Sequence, residues 1–188
     1  MAQRPHESVP ISETLRSGLS TMAARSGPDS SVATDCGDFG IRILRDGTWL
    51  YHGSPITRKP LVKLFSTVLR RDGDGYWLVT PVERGRIVVD DAPFTAVEIT
   101  IEDPGPAQRV IFRTNLDEVV TADAAHPIRI ARVAGSDEPR PYVAVRDGLE
   151  ALILRAVYYE LVERGEARRI GGEERYGIWS AGTFFPLG

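Results

Sequence analysis

Two apolar stripes with helical spacing, set among short alternating segments, limit what this chain can fold into. Leu61, Leu64, Phe65, Val68 and Leu69 stand at i, i+3, i+4, i+7 and i+8. They form one face of a helix expected over 58–71. Thr57 is placed to cap it and Pro60 falls in its first turn, where a missing N–H costs nothing. Leu149, Leu152, Ile153, Ala156, Val157 and Leu161 give the face of a second helix, expected from about Gly148 to Arg164, with Gly165 ending it. Truncation of Leu64 or Phe65 to alanine is then expected to cost about 2–5 kcal/mol each.

Elsewhere the apolar residues have period two. Phe39, Ile41 and Ile43 alternate with polar neighbours, Asp46-Gly47 signals a two-residue hairpin turn, and Trp49 and Tyr51 lie on the return strand. Val97, Ile99 and Ile101, then Val110 to Phe112, Ile128 with Ile130, Tyr142 to Val145, and Tyr176 to Trp179 read as further strands. Strand groups with one main helix each predict an α+β fold of two related strand–helix–strand halves. The halves are expected at 38–85 and 86–188. Residues 1–37 are expected to be a partly disordered segment and linker, rich in Gly, Ser and Asp. Arg45-Asp46-Gly47 and Arg146-Asp147-Gly148 each precede an expected helix and then an aromatic pair, which suggests a duplication.

Charge and motifs narrow the function. The chain has 23 Lys and Arg against 26 Asp and Glu, a net charge of −3. It lacks the basic surplus of proteins that coat phosphate backbones, so general nucleic-acid binding is not expected. No apolar stretch approaches the roughly 20 residues of a membrane span, and membrane insertion is not expected either. The single cysteine, Cys36, suits a reducing compartment, and the expected location is the cytoplasm. His6, His52 and His126 lie far apart, and no H-E-x-x-H, Walker loop or G-x-S-x-G occurs. No catalytic residue, cofactor or metal is therefore expected.

Longer stretches carry a resemblance. They are Asp46-Gly47-Thr48-Trp49 with Leu61 to Arg71; Leu78 to Glu83 followed by Val89 to Phe94; Thr114-Asn115 followed by His126-Pro127; and Pro141 to Val143 with Arg146 to Ala151. Together with the terminal Phe184 to Gly188, they resemble the bacterial domain of unknown function family 1285, from about Asp38 onward. The resemblance implies a duplicated α+β core whose C-terminal half is β-rich and pleckstrin-homology-like, with a packing helix. It also implies a nucleotide-like ligand at the interface of the halves and a role in signal transduction.

Individual residues fit such a site. Arg155, between Leu154 and Ala156 in the expected helix, would border a buried face, where an Arg needs an anionic partner. A packed stem with its head in water accounts for it equally well. Arg146 opens the same helix, and Tyr142 or Trp77 could stack on a base. Thr114 and Asn115 offer donors and acceptors, although a capped turn explains them too. His126 begins a strand, where a ligand contact and a structural hydrogen bond are both open. Glu83 joins Asp90 and Asp91 in a carboxylate cluster that could hold a cation or merely shape a turn. The leading expectation is a ligand-binding regulatory or signalling module for a small anionic, nucleotide-like ligand. The alternatives are a protein or lipid-headgroup interaction module and a metal-dependent hydrolase using Glu83, Asp90 and His126.

Overall fold

The computed structural model describes residues 33–73, 75–105, 107–132 and 138–188. Most of the expected N-terminal segment lies outside the described residues. The fold is α+β, mostly strand with two helices, built as two six-stranded curled sheets and a small third sheet.

The first sheet holds β1 (Thr34–Ile43), β2 (Trp49–Tyr51), β3 (Ser54–Pro55), β4 (Leu69–Asp72), β5 (Gly75–Val79) and β6 (Glu83–Val89). Helix α1 (Lys59–Thr67) runs between β3 and β4. The second sheet holds β7 (Phe94–Glu102), β8 (Arg109–Thr114), β9 (Val119–Thr121), β10 (Ile128–Arg132), β11 (Pro139–Arg146) and β12 (Leu149–Ile153). Helix α2 (Arg155–Glu163) follows, and β13 (Glu166–Ile170), β14 (Glu173–Ser180) and β15 (Thr183–Pro186) make the third sheet.

The two large sheets share one topology. The first has the order β3-β2-β1-β6-β5-β4 and the second β10-β11-β12-β7-β8-β9. In both, the first strand of the unit lies beside its sixth. That pair is parallel, β1 with β6 and β7 with β12, while the other neighbours are antiparallel. The halves are thus related. The two Arg-Asp-Gly triplets do not mark the repeat, because Arg45 to Gly47 joins the first strand of its unit to the second and Arg146 to Gly148 joins the fifth to the sixth. One apolar cluster runs through both units, including Trp49 and Phe65 of the first and Phe112 and Leu161 of the second.

Several local expectations change. Residues 34–37, expected in the linker, are the start of β1. The Asp46-Gly47 hairpin forms, but with a three-residue loop. Gly47 N–H donates to Leu44 O at 2.9 Å, and only Gly47 of the loop takes a positive φ, +85°. That is a type I turn with a left-handed glycine rather than a primed two-residue turn. Helix α1 has Arg58, not Thr57, as N-cap, and no side chain caps it. It also ends earlier than expected, at Thr67, so its buried side is centred on Val62, Phe65 and Ser66. Leu64 is 41% exposed, while Phe65 stacks on Trp49 with ring centroids 6.5 Å apart.

The second expected helix is half strand. Leu149, Ala151 and Ile153 are buried while Glu150 and Leu152 are only partly so, which is period two. The apolar run 149–153 satisfies either period, and parallel pairing with β7 decides it. Arg155 consequently opens α2 instead of sitting inside it, and its side chain is 73% exposed.

Phe65→Ala should lower stability by about 3–5 kcal/mol. Leu64→Ala should lower it by about 0.5 kcal/mol or less. Urea midpoints measure both, and equal shifts would contradict this placement of α1.

Candidate functional site: the junction of the two halves

The halves meet along a charged seam. Arg146, at the end of β11, donates from Nη1 to both carboxylate oxygens of Glu118 at 2.9 and 3.0 Å. Its Nη2 donates to Ser66 O at 2.6 Å, across to α1. Lys59 and Lys63 of α1 both reach Asp117, at 2.9 and 3.2 Å. Asn115 accepts from Thr95 N–H at 3.1 Å, and its amide donates to Gly47 O at 3.4 Å. A side chain on Gly47 would strike that amide at 2.5 Å, so the turn approaches closely because it carries none.

Electrostatics along the seam pull in opposite directions. Hydrogen bonds from Lys59 and Lys63 hold the Asp117 carboxyl below the usual carboxylate range. Burial pushes the Glu118 carboxyl up, and the Arg146 guanidinium only partly opposes this.

A cavity of about 280 Å³ opens near the seam. Arg45, Asp91, Arg140, Leu154, Arg155 and Tyr158 are among its lining residues. Arg45 comes from the β1–β2 turn, Asp91 from the link between the sheets, Arg140 from β11 and the rest from the start of α2. Asp91 anchors the wall, because Tyr142 donates to its Oδ1 at 2.6 Å. Burial and then the Asp91 bond push the Tyr142 phenol up, so it stays a donor. Oδ2 of Asp91 is buried without a hydrogen bond. Arg45 Nε and Arg140 Nη1 lie 3.4 and 3.6 Å from it, held by charge rather than by aligned N–H groups. Arg155 donates to Tyr159 Oη at 3.0 Å and lies 3.4 Å from Glu138. Leu154 caps α2 without a side-chain bond, so the first-turn N–H groups of this nine-residue helix have no partner within it.

The residues proposed from sequence are distributed over both features. Arg155 lines the cavity and Tyr142 backs it through Asp91. Thr114, Asn115 and Arg146 come together on the seam. There Thr114 Oγ1 accepts from the N–H groups of Leu116 and Glu118, at 3.3 and 3.0 Å. Trp77 lies on β5 with the Arg84 guanidinium 4.1 Å above its ring, and Glu83 begins β6. His126 contacts Asp123 at 3.0 Å in the turn before β10. Among the described residues, no group of three or more His, Cys, Asp or Glu side chains could hold a metal ion, so Glu83, Asp90 and His126 do not converge. No local pattern singles out Arg45 or Tyr159, since only the sheet topology brings them to one cavity.

Fold and seam together define a duplicated α+β protein with a basic cavity where the units meet. The chain belongs to the DUF1285 family of unknown function. Residues 32–92 match its N-terminal domain and residues 93–187 its C-terminal domain. A crystal structure of a DUF1285 family protein from Silicibacter pomeroyi DSS-3 is 44% identical, with a TM-score of 0.78. The match covers 89% of this chain and 92% of that one. A DUF1285 family protein from Shewanella baltica OS155 is 28% identical with a TM-score of 0.52, over 66% of this chain and 91% of that one. No curated protein matches. Among the described residues, no helix is long and apolar enough to cross a membrane.

Arg146→Met should cost about 2–3 kcal/mol, because it strands Glu118 and the Ser66 carbonyl, both at least half buried. A melting temperature within error of the parent would contradict that. For Asp117 the folded pKa is depressed, so its stabilisation is present above the unfolded pKa and lost as pH falls through the folded value. Asp117→Asn should therefore melt below the parent at neutral pH, and the gap should close on the acid side. Glu118 has the opposite sign, and its contribution fades as pH rises through its raised value.

Proposed function

We propose that this chain is a ligand-binding regulatory module that takes a small anionic, nucleotide-like ligand in the cavity at the junction of the halves. One observation carries the reading. Arg45, Arg140 and Arg155 border a cavity that also receives the uncapped end of α2, while only Asp91 and Glu138 offset them among its lining residues. Arg45 and Arg140 make no aligned bond to Asp91, so they keep donors for an external anion. Partly apolar Leu154 and the rings of Tyr158 and Tyr159 supply a surface for a planar group. Arg45 belongs to the first unit and Arg140 and Arg155 to the second, so a bound anion favours one arrangement of the units over another. The single cysteine is consistent with work in the cytoplasm, where it stays reduced.

The test is a thermal-shift and calorimetric screen of nucleoside phosphates, inorganic phosphate and lipid headgroups. Arg155→Met should weaken the best binder by about 1.5–3 kcal/mol and leave the melting temperature unchanged. A ligand at 100 times its dissociation constant stabilises by about 2.7 kcal/mol, which such a screen detects. A screen in which no phosphate compound shifts the melt sinks the reading.

A further inference from the structure

The β13–β14 hairpin is an exposed arm whose contacts gather at its base, where Trp179 Nε1 donates to Glu166 at 3.0 Å and the Arg168 guanidinium lies 5.2 Å from the Trp179 ring. Every residue from Glu166 to Tyr176 is exposed, including Ile170 and Tyr176 at 42% each. Five strand residues reach about 17 Å. A strand that buries neither face gains little to offset its ordering entropy. The arm is nonetheless well formed. Gly171 and Gly172 take φ of +61° and +90°, the two-residue primed turn, and Tyr176 Oη braces the base by donating to Val162 O and Gly165 O.

The free edge of β13 can be read residue by residue. Ala167 stands opposite Tyr176, whose carbonyl turns the other way and accepts from Leu187 N–H at 3.0 Å. That makes Ala167 and Tyr176 a non-hydrogen-bonded pair, so the N–H and C=O of Ala167 point outward, as do those of Arg169. Among the described strands, only β14 pairs with β13.

We propose that this edge pairs with the same edge of a second copy of the chain, antiparallel about a two-fold axis at Ala167. In that register the small Ala167 meets itself. Glu166 then meets Arg168 of the second copy, and Arg168 meets Glu166 of the second copy. Charged edges normally deter foreign strands. Here the alternation of sign makes the edge complementary to itself, and the two small sheets join into one of six strands. The pairing buries less than the roughly 1,200 Å² of a standard stable interface, so the dimer is weak and concentration-dependent.

Sedimentation equilibrium of the full chain, from tens to hundreds of micromolar, tests this. The parent should show a monomer–dimer equilibrium. Ala167→Pro removes an outward N–H that β14 does not use, and proline is tolerated on edge strands. It should raise the dissociation constant at least tenfold without lowering the melting temperature. Glu166→Arg should weaken the dimer similarly, and Glu166→Arg with Arg168→Glu should restore it. A parent monomeric at every concentration overturns the proposal, as does undiminished dimerisation of Ala167→Pro or a double variant that stays monomeric. A monomer whose Ala167 and Arg169 amides exchange slowly also overturns it, in favour of another segment of the chain covering the edge.

Discussion

The parallel pairing of the first and sixth strands is the constraint on which each unit rests. It puts the third and fourth strands at opposite edges, so the connection between them must span the sheet. Five strand spacings of about 4.8 Å make a flat sheet roughly 24 Å wide. In the first unit, α1 carries the chain across. In the second, only residues 122–127 connect β9 to β10, and they fold into a turn in which Asp123 accepts from the N–H groups of Ala125 and His126. Only a fully extended link of that length would reach across a flat sheet, and this one is folded into a turn, so the second sheet must curl until its edges approach. His126 therefore sits with Asp123 at the place where the curl is closed.

Curling also decides which polar groups are available. Along the seam, Arg146, Asn115 and Thr114 look like ligand residues in sequence, and each is engaged within the chain. Arg146 and Glu118 are both partly buried, and neither is tolerable there without the other. The cavity differs because its arginines are positioned by charge without being fully bonded. Asp91 matters most there, one oxygen fixed by Tyr142 and the other surrounded by guanidinium groups.

Much of the fold was legible because period two and period 3.6 are local signals. The β1–β2 hairpin, the β7–β8 hairpin, β10, β11 and the body of α1 follow from residue alternation and turn residues. The 149–153 run was not legible, because Leu-Glu-Ala-Leu-Ile fits a helix face as well as a strand. Only its neighbour β7, more than fifty positions away, resolves it. Misplacing that boundary put Arg155 in a buried helix, whereas it stands exposed at the mouth of the cavity. The repeat was legible as a duplication but not in its frame, since the shared triplets fall at different turns of the two units. Arg45, Asp91 and Arg140 meet through topology alone, which no local pattern encodes.

Helix α2 links the two proposed sites. Its N-terminus borders the cavity, and its C-terminal turn receives the Tyr176 hydroxyl that braces the arm. Gly165, just beyond that turn, is packed so closely on Tyr176 that a side chain would fall 2.6 Å from the ring. Between the two ends, Val157, Tyr158 and Leu161 are buried, and the Tyr158 hydroxyl donates to Leu187 O at 2.5 Å. Packing this close lets strain at one end of the helix reach the other. If an anion at its first turn and a second arm at its far end both load this helix, the two events are coupled through it. Linkage requires that coupling to be reciprocal, so any ligand that strengthens the dimer must bind the dimer more tightly than the monomer.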